Sequence, residues 1–249
     1  VWIDRAHARG WVAVDTETTS LNEMQADLVG ISLCIEPGQA CYVPLGHKDG
    51  SDDLFGSDDL AEGQIPLQAA LDRLKPLLED DAVLKIGQNM KYDAKLFARH
   101  GVRVTPFDDS MLMSYALHSG LHGHGMDTLS SRYLEHAPIP IKSLLGSGKS
   151  MITFDRVPVD EAVKYAAEDA DVPLRLMPIL QSRLEADGLD NLFRDVEMPL
   201  IEVLVECEFN GIRVDVPRLK ELSNDFVERL LQFETEIYKL AGRALNLVS

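Results

Sequence analysis

Apolar residues fall in short blocks along the chain, and the spacing inside each block predicts an element. Runs or alternations over 11–14, 28–35, 40–44 and 83–86, with a short fifth near 104–107, predict strands. The first is continuously apolar, which suits a central strand buried on both faces. The second and third flank Pro37-Gly38 and read as a hairpin. Helical spacing covers 67–78, 90–100, 110–118, 126–134 and 160–172, and the stretch 46–63, rich in Asp, Gly and Ser, reads as a loop. Three strands, helix, strand, helix, strand and helices predict an α/β domain with a five-stranded sheet flanked by helices. A break at Asp187-Gly188-Leu189 closes it, giving a first domain over 1–188. Two long amphipathic stretches follow, 191–209 and 217–241, joined by Gly211-Ile212-Arg213-Val214-Asp215, and form a helical extension over 189–249.

The chemistry concentrates at Val-Ala-Val-Asp-Thr-Glu-Thr, residues 12–18. Side chains alternate across a strand, so Asp15 and Glu17 share a face. Two like charges side by side need an opposite charge, and a divalent cation supplies one. Two later segments offer further carboxylates. In Gly87-Gln88-Asn89-Met90-Lys91-Tyr92-Asp93, Asn89 is placed to cap a helix whose first turn holds Asp93, where the helix dipole favours an anion. In Tyr165-Ala166-Ala167-Glu168-Asp169, Tyr165 and Asp169 share a helix face, while Glu168 and Asp171 lie off it and read as solvated.

Asp15-x-Glu17, Asn89-x-x-x-Asp93 and Tyr165-x-x-x-Asp169, in that order, resemble the three motifs of DEDD-superfamily exonucleases, tyrosine variant. Flanking segments, among them Lys85-Ile86-Gly87-Gln88-Asn89, Arg132-Tyr133-Leu134 and Glu197-Met198-Pro199-Leu200, are similar to the 3′–5′ proofreading domain of bacterial DNA polymerase I. The resemblance covers nearly the whole chain. It implies a ribonuclease H-like fold with a mixed sheet, and two-cation hydrolysis of phosphodiester bonds at single-stranded or frayed DNA 3′ ends. Asp15 would bridge both ions, Glu17 and Asp169 complete the first, and Asp93 hold the second through water. Mg²⁺ suits such an oxygen site, with Mn²⁺ as a substitute and Zn²⁺ an alternative at the first position. Tyr165 would orient the attacking water. Leu21 would wedge against the terminal base, Thr18 meet the terminal sugar, and Gln88, Asn89 and Tyr92 line the groove. Residues 189–249 would begin the thumb of a polymerase domain whose palm and fingers lie past Ser249. Val1 is no initiator methionine, so both ends read as cuts in a longer, cytoplasmic, nucleoid-associated bacterial chain.

Net charge is 24 − 41 = −17, an unusual balance for a protein that holds a polyanion. Between residues 83 and 103, however, Lys85, Lys91, Lys95, Arg99 and Arg103 face Asp93 alone, 5 − 1 = +4, and predict a local basic lip. Much of the acidity, over 49–62 and the C-terminal helices, reads as solvated surface. Cys34, Cys41 and Cys207 lack metal-site spacing and read as small core residues in a reducing cytoplasm. There is neither a secretory signal nor an apolar run long enough for a membrane span.

Several features depart from the family pattern. The loop His122-Gly123-His124-Gly125 replaces a common phosphate-binding Arg, with His124 a partial substitute, and Ile141 stands where an aromatic base contact is usual. Pro173 lacks the N–H that would reach the carbonyl of Asp169 and predicts a kink or break there, with Pro178 limiting the helix further. Other features have plainer readings. His118, His122, His124 and His136 suit no common zinc spacing and read as a loop. Gly148-Lys149-Ser150 lacks the glycine and the strand of a phosphate loop. Asp108-Asp109 reads as a helix cap. The alternatives to an editing exonuclease are a catalytically silent binding or scaffolding module and an exoribonuclease of the ribonuclease D type. All four carboxylates and Tyr165 disfavour the first, and the segment 197–215 disfavours the second.

Overall fold

The computed structural model describes residues 1–49 and 59–247. Five strands form one sheet in the order β3-β2-β1-β4-β5: β1 (Trp11–Thr18), β2 (Leu28–Glu36), β3 (Gln39–Pro44), β4 (Leu84–Gly87) and β5 (Phe107–Asp109). β1 runs antiparallel to β2 and parallel to β4, β2–β3 is an antiparallel hairpin, and β4–β5 is parallel. The sheet is therefore mixed, as predicted. β5 starts later than its apolar pattern suggests. Pro106 has no N–H for the ladder and contributes only its carbonyl, which accepts from Lys85 N at 3.0 Å.

The helices are α1 (Trp2–Arg9), α2 (Leu67–Leu78), α3 (Met90–Arg99), α4 (Ser110–His118), α5 (Met126–Tyr133), α6 (Ile141–Leu145) and α7 (Val159–Ala186). After α7 a short α8 (Asp190–Leu192) passes through a π-helical turn, Phe193–Glu197, into α9 (Met198–Asn210). β1 shows why the layers form. Val12 and Val14 join one core with Leu71, Leu77, Leu96 and Phe97 of α2 and α3. Ala13, on the other face, packs with Cys34, Ile86, Ala170 and Leu174, against α7. Because alternation continues down the strand, Asp15 and Glu17 follow Ala13 onto the α7 face.

α7 corrects an expectation. It runs for 28 residues with Pro173 and Pro178 inside it, and no break follows Asp169. One lost hydrogen bond and a ring clash cost about 3 kcal/mol or more. Pro173, Val172, Leu174, Leu176, Leu180 and Leu184 are all buried, and burying each large apolar side chain returns about 1.5–3 kcal/mol. Packing on both sides of the helix outweighs the two prolines.

One further expectation changes. Cys34 is buried, but Cys207 lies exposed on α9 rather than in a core. The middle of the predicted 46–63 loop, and of the acidic stretch 49–62, lies outside the described residues; on either side Lys48 and Leu60 form an isolated bridge.

The chain divides into two compact units, Val1–Phe209 and Asn210–Ser249. The first runs past the break at Asp187-Gly188-Leu189, which ends α7. The second contains α10 (Val216–Ala241), started by the Asp215 carboxylate accepting from Arg218 N at 3.0 Å and closed by Gly242. No helix among the described residues is long and apolar enough to cross a membrane.

Candidate active site

The acidic residues meet where the sequence pattern aims them. α7 presents a stripe of small residues, Ala162, Ala166 and Ala170, all buried against the sheet side. The small side chains let the helix backbone approach closely, so that a residue as short as Asp169 reaches the strand. Carboxylate oxygens of Asp15, Glu17 and Asp169 lie within 4.8 Å of one another. Asp93 stands outside that tight trio but near enough to act on both strand carboxylates. Its own Oδ1 accepts from the Thr16 hydroxyl at 2.5 Å. Thr16 points to the opposite face of β1 from its two neighbours, so Asp93 approaches past the end of the sheet rather than across it. The site thus lies at the carboxyl ends of the parallel pair β1 and β4, where α/β sheets commonly open a crevice.

Burial and mutual repulsion dominate the electrostatics. Loss of water pushes the Asp15 carboxyl well up, and Asp93, Asp169 and Glu17 push it further. Glu17 is raised by burial and then by Asp169 and Asp93. Burial lifts Asp93 to about 7 despite the Thr16 hydrogen bond, and lifts Asp169 to about 7 despite one from Tyr165. Glu17 Oε1 is buried with no hydrogen-bond partner. Four acids crowded together, all anionic only at a cost, with one oxygen unsatisfied, form a donor set that fits a hard divalent cation.

The Tyr165 hydroxyl donates to Asp169, and burial beside these acids raises its pKa, so the phenol stays protonated. Replacing Tyr165 by phenylalanine should leave the melting temperature nearly unchanged while lowering turnover about 10–100-fold, the range seen when an outer-shell partner is lost. A turnover equal to wild type would remove Tyr165 from the site.

The remaining predicted contacts surround this centre. Thr18 Oγ1 and the Tyr92 hydroxyl are 2.5 Å apart. Leu21 is 95% exposed. Gln88 donates to the His124 carbonyl at 2.8 Å and accepts from Ser110, and Asn89 is exposed at the start of α3. Ile141 packs with Leu144 and Tyr165 in one apolar cluster.

Three readings of the sequence need correction. The five cations expected to form a basic lip are all engaged by carbonyls or carboxylates of the chain, Lys85 and Lys95 buried, Lys91 half-buried, Arg99 and Arg103 exposed. Lys85 is fully buried, its ammonium donating to the carbonyls of Asp80, Val83 and Thr105. Lys95 pairs with Glu23 and Glu208, and Lys91 with Glu208. Arg99 holds two backbone carbonyls, and Arg103 pairs with Glu202. Second, Asn89 occupies the cap position of α3 with φ 62° but its side chain makes no cap bond. Asp109 accepts from Asn89 N at 3.0 Å and Met90 N at 2.8 Å, and also from Met111 N at the start of α4. One buried carboxylate thereby fixes two helices beside the site. Third, Glu168 and Asp171 are not merely solvated: Glu168 accepts from His136 Nε2 and Ile139 N, and Asp171 from Gly38 N. His136 is thus apart from His118, His122 and His124, whose rings lie in contact. Among the described residues, only Asp15, Glu17 and Asp169 gather as a set able to hold a metal.

Tyr42 gave no signal in the sequence. Its ring lies over Gly30, the partner of Glu17 in the ladder, where any Cβ would overlap it. His47 Nδ1 meets the Val157 carbonyl at 2.9 Å and must donate there, so Nε2 accepts from the Tyr42 hydroxyl at 2.8 Å. Burial raises the pKa of this phenol, and the nearby charges of Glu17 and Asp15 raise it further.

A model of the 3′–5′ exonuclease family matches residues 1–185. The chain belongs to that family. The exonuclease is 50% identical over 257 residues to DNA polymerase I of Rhizobium leguminosarum, a match covering 100% of this chain and 25% of that protein. Against DNA polymerase I of Chloroflexus aurantiacus it is 36% identical over 238 residues, covering 95% and 24%. The chain spans about a quarter of the length of these relatives. Among solved structures, the POL domain of Pol1 from M. smegmatis, in complex with DNA primer-template and dNTP, superposes with TM-score 0.67 at 23% identity, covering 96% of the exonuclease and 35% of that chain. Brucella melitensis NrnC gives 0.62 at 21%, covering 83% and 88%, and has also been solved with bound Mg²⁺. These likenesses show the fold, which is ribonuclease H-like.

Proposed function

We propose that this exonuclease hydrolyses phosphodiester bonds at single-stranded or frayed DNA 3′ ends, releases nucleoside monophosphates, and is the editing part of a DNA polymerase I. The observation that carries the reading is the convergence of Asp15, Glu17 and Asp169, with Asp93 acting on the first two. Residues 1–188 would be the nuclease domain and 189–249 the first thumb helices of a polymerase domain. The parent's synthetic activity belongs to that larger protein.

Asp15, Glu17 and Asp169 would hold one divalent cation and Asp15 with Asp93 a second, Mg²⁺ or Mn²⁺ by the all-oxygen donor set. Such ions, when bound, neutralise developing charge and lower the pKa of water. The chain's own residues supply position. The protonated Tyr165 hydroxyl is a donor anchored on Asp169, so its role is to orient the attacking water rather than to take its proton. Thr16 fixes Asp93, and Asp109 fixes the helix that carries it. Tyr92 offers a ring to a base, worth about 1–3 kcal/mol, with its hydroxyl already tied to Thr18.

Because Lys85, Lys91, Lys95 and Arg99 are already bonded to carbonyls or carboxylates of the chain, phosphate neutralisation by side chains should be small. The slope of log kcat/KM against log salt is therefore expected to be shallow, with a magnitude of about 2 or less, since each neutralised phosphate adds about 0.7 on a single strand. A slope several times steeper would mean a basic surface not accounted for by these pairs.

The activity itself is tested with 3′-labelled single-stranded DNA and RNA of one sequence, with Mg²⁺ and then with EDTA. DNA shortened from the 3′ end, and protected by EDTA, is the expected result. Preference for RNA would favour the exoribonuclease alternative, and no shortening at any metal concentration would favour a silent module.

A further inference from the structure

The connection between β1 and β2 bears the exposed Leu21, and it is held from one side by α3. Tyr92, Lys95 and Arg99 recur at helical spacing and turn onto it together. The Tyr92 hydroxyl donates to the Ser20 carbonyl at 2.5 Å. The buried Lys95 ammonium binds the Glu23 carboxylate. The Arg99 guanidinium donates to the carbonyls of Glu23, at 2.8 Å, and Ala26, at 2.5 Å. The connection also closes on itself, Thr19 N donating to the Asp27 carbonyl at 3.1 Å and Asp27 N to Thr19 Oγ1 at 2.9 Å. Leu21 therefore projects from a segment pinned on both sides, at Ser20 and at Glu23.

We propose that Lys95 and Arg99 are positioning residues, which fix the 19–26 connection so that Leu21 stands at a constant place beside the carboxylates to meet the terminal base. This rests on reading the site as an exonuclease. The rival use of two cations near a nucleic-acid site is direct phosphate contact, and the geometry opposes it. Lys91, Lys95, Glu23 and Glu208 form a closed set of two cations and two anions, net 2 − 2 = 0. A phosphate could reach Lys95 only by displacing a carboxylate from a buried amine. Arg99, though exposed, has its Nη1 on the Glu23 and Ala26 carbonyls, and turning that nitrogen to a phosphate would release the connection it holds. Glu208 sits in the last turn of α9, so the same lysine also braces the connection against that helix.

The test uses the whole chain and a 3′-labelled single-stranded DNA, measuring kcat and KM for Arg99→Met, Lys95→Met, Leu21→Ala and the double variant Leu21→Ala/Arg99→Met. Arg99→Met and Leu21→Ala are each expected to raise KM about tenfold with kcat within about threefold of wild type, a misplacement effect rather than a loss of chemistry. The double variant should be no worse than Leu21→Ala, because both act through one contact. Amide hydrogen exchange should quicken at Gln25, Ala26 and Asp27 in Arg99→Met while the β1 amides keep their protection. Additive KM effects with unchanged exchange would make Arg99 a phosphate ligand and overturn the proposal, as would an unchanged KM. Should Lys95→Met fail to fold, Arg99→Met and the exchange measurement carry the test alone. If instead Asp15→Ala keeps full activity, it is the exonuclease reading that fails, and the exchange result still reports on the clamp.

Discussion

An Asp15→Asn variant is expected to lose catalysis on the order of 10³-fold or more, beyond the 10–100-fold typical of an outer-shell loss, and yet to melt at a higher temperature than wild type in EDTA. The two effects have one cause. Asp15 is the carboxylate on which Asp93, Asp169 and Glu17 all press, in a buried place. In the proposed two-ion site it would be the shared ligand, so a neutral amide would remove charge that both ions need. As part of the metal-free fold it is a like charge among like charges, and its removal relieves repulsion that an isolated buried ion cannot offset. Each kcal/mol so gained raises the midpoint by about 2–4 °C in a chain of this size. Activity follows from the single-stranded DNA assay and stability from calorimetry in EDTA. An active variant, or one that melts lower than wild type without metal, would show that Asp15 is not the crowded centre described above.

The second large effect is a pH dependence of stability that divalent metal should reverse. Asp93 and Asp169 titrate at about 7 in the folded protein against 3.8 for an ordinary aspartate, and Asp15 and Glu17 are raised as well. Between pH 4 and about 7 the metal-free folded state holds protons that the unfolded chain has released. Its stability must therefore fall as pH rises through that window. A bound divalent cation holds the same carboxylates ionised and removes the penalty, while adding its own binding energy to the folded state. The melting temperature in EDTA is thus expected to drop from pH 5 to pH 8. The gap between the Mn²⁺-loaded and EDTA-treated protein should widen over the same range, on the order of 5 °C or more. In Asp169→Asn the widening should shrink. A gap equal at both pH values would contradict the raised carboxyls.

Much of this arrangement was legible in residue order because local rules and global fold agree there. The apolar run before Asp15 reads as a central strand, and the strand runs as β1 through both acidic residues. The helices over 67–78 and 110–118 match α2 and α4 at both ends, where turn residues and caps punctuate an unambiguous period. The i, i+4 spacing put Tyr165 and Asp169 on one face, and they share it. What was not legible depends on contacts between distant segments. Pro173 and Pro178 are helix breakers by propensity, and only burial on several sides of α7 overrides them. Lys85 and Lys95 look like surface charges because lysine is seldom buried, and nothing local reveals that backbone carbonyls or two glutamates await them. Asp109 could be recognised as a cap for its own helix. That it also caps α3, from 20 residues away, follows only from the β4–β5 pairing. Thr16, hidden between the two acids of the first motif, and Tyr42, across the ladder from them, had no periodicity to announce them.

The central claim is that acids from three distant stretches surround divalent cations, and a crystal grown with Mn²⁺ and measured at the manganese edge tests it most directly. The expected result is anomalous density at about 2.0–2.3 Å from oxygens of Asp15, Glu17 and Asp169, with a second peak between Asp15 and Asp93. Well-ordered carboxylates with no anomalous peak in coordination range of Asp15 would contradict it.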